Sequence, residues 1–469
     1  MTLANDHFDS SKIQTSPSEH VASDSDGSRC ASPFGAEILS QVLEKELLDS
    51  IDDELVQVLQ SQAFLGSNSN IQPEKQFFFH FVNTVSYCIP LPYDERRRSL
   101  IAFAVRESLK DRLVMGMVLA LGASHFINTV PFQGAEMKSL ILAKKELVRA
   151  ARKEQYLRFL SQLSQWKDAA GNSIDLERFL LIFVLCHVFE MSEGVSEESW
   201  LWMEETKTVF LRALRPSLEA SEINQTAFAN EGQSQESIQN KNDLLHVFIY
   251  MDVLGCATSS QRYVCQPQAI YILHWTSKSS DDGRIASVQY EVIELVSQIT
   301  DLQLQVTSTS ILSAPLISQS IHISKTINEK LGLGCDNNLS VEEWPILRAY
   351  ISSAFIWLHS IVHPKEISSE KIQGEARSGL DSLSAIPFSS WYSLSLFPFF
   401  LIGVNCVTRT DRQSIDTLLA KFERVRRLKY IGQSIRVIHS AWQLYDERKG
   451  EGWNWNHIVA SGVFQIPLF

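Results

Sequence analysis

The chain has 469 residues, a formal net charge of −12, 45% hydrophobic and 20% charged residues, 20 glycines and 14 prolines. This composition is typical of a globular protein that buries a core without disulfides or metals, in about three domains or one large α-helical unit. It excludes collagen-like and low-complexity chains, and the negative charge argues against a phosphate-binding surface over the whole protein.

The first 70 residues carry most of the negative charge, because they contain 12 acidic and 3 basic side chains. Residues 1–34 are rich in Ser and Asp and poor in large apolar side chains, which predicts a disordered acidic arm. In residues 35–64 apolar side chains mostly recur three or four positions apart beside an acidic face, which predicts an amphipathic helix. This helix would either dock on the rest of the chain or fold into a groove of a partner protein.

The rest of the chain is dominated by helical periodicity, which predicts an all-α fold. A polar break covers residues 66–75, and residues 221–242 form a polar loop without periodicity. The predicted helices are Ser99–Lys110, Leu113–Asn128, Gly134–Leu163, Ser173–Phe189, Ser199–Leu214, Leu244–Leu254, Ser287–Leu304, Ser313–Lys330, Glu342–Ile361, Glu370–Ser384, Leu394–Cys406, Arg412–Leu428 and Gly432–Asp446.

No segment predicts a membrane span or a targeting peptide. The longest apolar runs, Phe179–Phe189 and Leu396–Val404, are shorter than the ~20 residues that cross a bilayer, and the first residues are polar and acidic. The seven cysteines are scattered, with no pair at the CxxC spacing of zinc sites. We therefore expect a soluble intracellular protein with reduced thiols and no membrane partner.

Motifs for catalysis, cofactors and metals are missing from the sequence. It has no glycine-rich phosphate loop and no G-x-S-x-G nucleophile motif. His359 and His363 lie four positions apart, but no Glu separates them and no third ligand is evident. The side chains of Cys186 and His187 would point about 100° apart on a helix, as would those of Ser124 and His125. Neither pair can therefore meet directly as nucleophile and base. We predict no catalytic, cofactor-binding or metal-binding residue, and no enzyme.

Basic side chains cluster at Arg96–Arg98, in 144–158 and in 421–429. Such clusters can contact phosphates, but acidic residues such as Glu146, Glu154 and Glu423 are interleaved with them. We interpret the clusters as solvated helix faces.

Six stretches in chain order resemble one protein family: Phe77–Tyr87, Leu113–His125, Phe189–Leu211, Phe248–Ser260, Ser395–Phe422 and Ser434–Val459. Together they are similar to the fungal-specific transcription factor regulatory domain, in the subgroup of acriflavine-sensitivity control proteins. The most specific part is Pro398–Gly403 with Asp411 and Arg412 after it, then Trp442 and Trp455. The resemblance implies a large helical regulatory domain over residues 75–469.

The resemblance also implies a function in transcription. Such domains usually follow a six-cysteine zinc cluster that binds DNA, but only Cys30 precedes residue 75 in this sequence. We therefore expect a nuclear, pathway-specific transcriptional regulator, such as one for a secondary-metabolite gene cluster, that works through protein partners. The expected partners are a DNA-binding transcription factor and the transcription machinery; a homodimer and a small-molecule effector stay open. The alternatives are an upstream exon encoding the zinc cluster and a cytoplasmic ligand-sensing or scaffold protein.

Overall fold

The structure, a computed structural model, describes residues 71–91, 94–129, 176–194, 235–257, 285–309, 312–332, 343–364, 366–387 and 390–448. The predicted acidic arm 1–34, the predicted amphipathic helix 35–64 and Trp455 lie outside these residues, as do the predicted helices Gly134–Leu163 and Ser199–Leu214.

Helices make up almost all of the described residues, which contain no β-strand, so the all-α prediction is confirmed. Two short 3-10 segments are Val85–Cys88 and Ser390–Leu394. The α-helices are α1 (Ile71–Asn83), α2 (Asp94–Lys110), α3 (Arg112–Thr129), α4 (Leu176–Glu193), α5 (Gln235–Ala257), α6 (Ile285–Thr309), α7 (Ala314–Gly332), α8 (Glu343–Val362), α9 (Glu370–Ala385), α10 (Leu396–Asn405), α11 (Arg409–Arg426) and α12 (Lys429–Arg448).

Two helices begin inside segments that the sequence predicts to be polar and without helical periodicity. Helix α1 starts at Ile71, inside the predicted polar break, and Pro73 fits its first turn because a proline there breaks no helical hydrogen bond. Helix α5 starts at Gln235, so the predicted loop 221–242 is wrong for its last eight residues, while 221–234 lie outside the described residues. Polar side chains near this end face inward: Asn240 and Asp243 are buried.

Helix α8 lies at the centre of the C-terminal half of the fold. It packs against α6, α7, α9 and α10, and every residue from Ala349 to Leu358 is buried. Its length and mean hydropathy of 1.2 would allow it to cross a membrane, but 78% of its apolar stretch is buried inside the protein. We therefore interpret α8 as a core helix.

The helices form one continuous core in which successive layers contact each other. Helix α1 packs on α3, α3 on α4, α4 on α5, α5 on α6 and α6 on α8. Helix α12 packs on α10 and also reaches α4, while the two 3-10 segments contact each other. The end of the described chain is thus packed against its beginning.

A glycine allows α1 and α3 to touch through their backbones. A Cβ atom at Gly122 would overlap the carbonyl oxygen of Phe77, a contact that no side-chain movement relieves. The absence of a side chain at Gly122 therefore lets the two helices approach closely.

Residues of the two family-like stretches Ser395–Phe422 and Ser434–Val459 hold the C-terminal helices together. Trp442 Nε1 donates a 2.8 Å hydrogen bond to the Gly403 carbonyl, which joins α12 to α10. Arg412 donates to both carboxylate oxygens of Asp446, at 2.7 and 3.0 Å, and its guanidinium lies 5.4 Å from the centre of the Trp442 ring. Pro398 lies in the first turn of α10. These contacts fix α10, α11 and α12 relative to one another.

Candidate functional site

A thiol, two imidazole rings and a backbone carbonyl meet in the core where α1, the first 3-10 segment and α3 approach the end of α11. Cys88 ends the first 3-10 segment, His80 lies on α1 and His125 lies on α3. The carbonyl belongs to Arg426, the last residue of α11. We call these four groups the thiol–imidazole cluster.

The packing of α1 on α3 positions the two imidazoles. Phe77, Phe78 and Phe81 are buried on the inner face of α1. With the backbone contact at Gly122, they fix the register of the two helices. The result is a 2.9 Å hydrogen bond between His80 Nε2 and His125 Nδ1.

The other ring nitrogen of His125 faces the thiol and the carbonyl. His125 Nε2 lies 2.8 Å from the Arg426 carbonyl oxygen and 3.7 Å from Cys88 Sγ. Cys88 Sγ is also 3.7 Å from the same carbonyl oxygen. Because a carbonyl oxygen can only accept, the contact with the carbonyl is a hydrogen bond when Nε2 of His125 carries a proton.

The electrostatics of the cluster favour a charged thiol–imidazole pair. Burial would raise the pKa of the Cys88 thiol, but His125 and the guanidinium groups of Arg426 and Arg97 together lower that pKa below its usual value. Burial would lower the pKa of His125, but the neighbouring Cys88 raises it. Burial, helped by the proximity of His125, lowers the pKa of His80 to about 4, so His80 is neutral at pH 7.

The two arginines beside the cluster are themselves buried, with exposed fractions of 4% for Arg97 and 6% for Arg426. Burial lowers the pKa of Arg426 and raises the pKa of Tyr392 to about 12. Burial also raises the pKa of Tyr430. The phenols therefore stay protonated at neutral pH, and the cationic groups lie in an environment of low polarity.

The end of α11 continues from the cluster into a tight turn. Arg427 adopts a left-handed backbone conformation with φ of 52°, and its N–H donates to the Glu423 carbonyl. Lys429 then begins α12 and pairs with Glu193 of α4 at 3.3 Å. A change at Cys88 or His125 therefore acts directly on the turn that orients α12.

A second buried polar junction joins α5, α8 and the second 3-10 segment. The hydroxyls of Tyr250 and Tyr350 are 2.7 Å apart, and Tyr350 donates a 2.6 Å bond to the Leu394 carbonyl. Burial raises the pKa of both hydroxyls. All of these groups find partners within the junction, so it stabilises the core.

The paired residues that the sequence analysis tested for chemistry point apart. Cys186 Sγ contacts Met117 Sδ at 3.7 Å, while the His187 ring stacks on Phe183. Ser124 donates to a carboxylate oxygen of Glu193 at 2.6 Å and does not bond to His125.

His359 of α8 and His363, which follows the helix, do not form a metal centre with a third ligand in the described part of the chain. The rings of His359 and His363 are 5.6 Å apart, near the end of α8. Among the residues that the structure describes, no group of three His, Cys, Asp or Glu side chains is arranged to hold a metal ion.

The interpretation of the basic clusters as solvated faces is wrong for several residues. Arg97 and Arg426 are buried, and Arg96 forms a 3.5 Å ion pair with the buried Asp243 of α5. These side chains serve packing between helices. The cluster in 144–158 lies outside the described residues.

Sequence analysis missed the pairing of Cys88 with His125. The two residues are 37 positions apart, and their contact depends on how α1 and α3 pack. His125 was considered only with its neighbour Ser124, and Cys88 only as one of seven scattered thiols. Gly122, three residues before His125, permits close packing. It was the one available indication that this helix lies against another backbone.

Comparison with known families identifies the chain. The family model of the fungal specific transcription factor domain matches residues 76–466, most of the sequence and all of the helices from α2 to α12. No curated protein and no solved structure matches the chain significantly. The chain therefore belongs to the fungal specific transcription factor domain family.

Proposed function

We propose that this chain, a transcriptional regulator by its family, is pathway specific and acts in the nucleus through protein partners. The observation that carries the proposal is the family match over residues 76–466. In this proposal a DNA-binding partner supplies contact with the promoter, and an exposed apolar face of α7 supports such a protein contact.

The exposed face of α7 supports contact with a protein partner. Its opposite face is buried through Leu316, Ile323 and Ile327, whereas Ile317 and Ile321 are 45% and 63% exposed. The two isoleucines are one helical turn apart and form a continuous apolar patch.

The surface beside this patch carries little net charge. Lys325 is the one Lys, Arg, Asp or Glu in residues 314–328, and its Nζ lies 3.8 Å from the carboxylate of Glu329 on the next turn. We propose that the patch receives the apolar stripe of an amphipathic helix of the DNA-binding partner.

The test tethers the full chain to a heterologous DNA-binding domain in a fungal reporter strain. We expect tethering to change reporter expression, because the chain then no longer depends on its partner for promoter contact. An unchanged reporter with a folded, nuclear fusion would contradict the proposal.

Partner contact is tested with the untethered chain, on transcripts that depend on it. Ile321→Asp should reduce their regulation, because it places a charge in the apolar contact with the partner. The matched control is Val425→Asp, which alters another exposed apolar residue, on α11. Equal regulation by both folded variants would show that the α7 patch has no such role.

A further inference from the structure

Three cysteines have side chains in the described part of the structure, and all are free thiols: Cys88, Cys186 and Cys406. Cys88 and Cys186 have almost the same exposed fraction, 7% and 8%, and Cys406 is 1% exposed. Their surroundings differ, because Cys88 faces an imidazole, Cys186 faces a thioether and Cys406 faces the Ile402 carbonyl. The exposed fraction therefore does not distinguish Cys88 from Cys186, but the group that faces each thiol does.

The groups around Cys88 have the arrangement of an activated nucleophile. A thiol is within contact distance of an imidazole, and a third group orients that imidazole. In the charged form, His125 donates Nε2–H to the Arg426 carbonyl and Nδ1–H to Nε2 of the neutral His80. Both protons of the imidazolium are then satisfied.

Charges beyond the pair support the same form of the thiol. Arg97 and Arg426 lie close enough to lower the pKa of Cys88, whereas burial raises the pKa of Cys406 to about 12. The thiolate is the reactive form of cysteine, so the three thiols should differ in reactivity.

We propose that Cys88 is a covalent modification site for small, uncharged electrophiles of the α,β-unsaturated carbonyl class, with His125 as its proton acceptor and donor. Small size is required because the thiol is largely buried, and the absence of charge avoids the cost of bringing an ion into the core. The chemistry of the thiol does not depend on the proposed function; an effect on transcription would rest on it.

The reaction balances without an oxidant or a leaving group. His125 holds the thiol proton, and Cys88 Sγ forms a bond to the β carbon of the electrophile. The electron pair of the carbon–carbon double bond moves to the α carbon, which then takes the proton from His125. The net result is addition of S–H across the double bond, and His125 returns to its neutral form.

The adduct would act on the α11–α12 turn. Cys88 Sγ and His125 Nε2 share the Arg426 carbonyl, so a substituent on sulfur competes for the space of that hydrogen bond. Loss of the bond frees the end of α11, one residue before the left-handed Arg427.

The experiment measures alkylation of the purified full chain by N-ethylmaleimide, quantified for each cysteine by mass spectrometry. A lower pKa gives more thiolate but lowers its nucleophilicity, and below the pKa the gain in thiolate is the larger effect. We expect Cys88 to react faster than Cys186 at pH 7, and Cys406 to react slowest. Equal rates for Cys88 and Cys186 would overturn the proposal.

Two further measurements separate the role of His125 from general accessibility. His125→Gln keeps a donor for the Arg426 carbonyl but cannot accept the thiol proton, so the Cys88 rate should fall to that of Cys186. In the unmodified sequence, the Cys88 rate should reach its plateau at lower pH than the Cys186 rate, a result that does not require the variant to fold. Hydrogen exchange of residues 422–434 should increase after alkylation, and an unchanged exchange rate would refute the coupling to the turn.

Discussion

Two glycines of α9 provide a direct test of the packing around α8. A Cβ atom at Gly379 would lie 2.6 Å from Ile402 Cδ1 and 3.0 Å from Ser352 Cβ, whereas a Cβ at Gly374 meets nothing within 4 Å. Both glycines lie inside the same helix. Replacing either with alanine therefore gains about 1 kcal/mol of helix propensity, and Gly379→Ala alone adds strain.

The difference between the two variants isolates the cost of overpacking. Ile402 is fully buried and Ser352 lies on the central helix α8, so neither can move away freely. An extra methyl group in a tightly packed core costs about 1–3 kcal/mol. We expect Gly374→Ala to be more stable than the unmodified chain by about 1 kcal/mol, and Gly379→Ala to be less stable than Gly374→Ala by about 1–3 kcal/mol.

Urea unfolding followed by far-ultraviolet circular dichroism measures both free energies of unfolding, provided that the slopes of the transitions agree. A Gly379→Ala variant as stable as Gly374→Ala would refute the close contact of α9 with α8 and α10.

Three other substitutions test separate contacts. Burial raises the pKa of Asp243 to about 6 from 3.8, against the opposing effect of Arg96, so the folded state holds this proton more tightly than the unfolded state. As pH rises from 4 to 6, unfolding free energies should therefore fall by about 2 kcal/mol more for the unmodified chain than for Asp243→Asn; parallel pH profiles would contradict this. Tyr350→Phe should cost about 1–2 kcal/mol in urea unfolding, since the Leu394 carbonyl loses its 2.6 Å donor, and an unchanged midpoint would contradict the junction. Arg412→Lys should lower thermal stability by more than the control Lys325→Arg does. Lysine at position 412 cannot make the bidentate bond to Asp446, whereas Lys325 lies on an exposed helix face.

The sequence was sufficient to predict most helices of the core, though not α1, and it did not predict their mutual arrangement. The apolar run Leu396–Val404 and the periodicity of residues 313–330 predicted α10 and α7, because these patterns reflect which face is buried. The predicted start of α5, Leu244, is too late. Asn240 and Asp243 are polar, which is typical of a loop, but both face α2. Local composition does not reveal that a polar side chain is buried against a partner 141 positions away.

The candidate site was beyond sequence prediction for a related reason. A cluster of basic residues is usually solvated, but Arg97 and Arg426 are buried beside a thiol from a distant part of the chain. The pairing of Cys88 with His125 follows from the close approach of α1 and α3 at Gly122, and the contact with Arg426 spans 338 positions. Such contacts depend on tertiary packing, which no spacing rule describes.

The most direct test of the central claim is the transcript profile of a strain that lacks this gene. The chain is a transcriptional regulator by its family, and the proposal adds that it serves one pathway. We therefore predict that deletion changes the messenger RNA levels of one defined set of genes and that the unmodified gene restores them. A profile with no reproducible change under any growth condition would contradict the account.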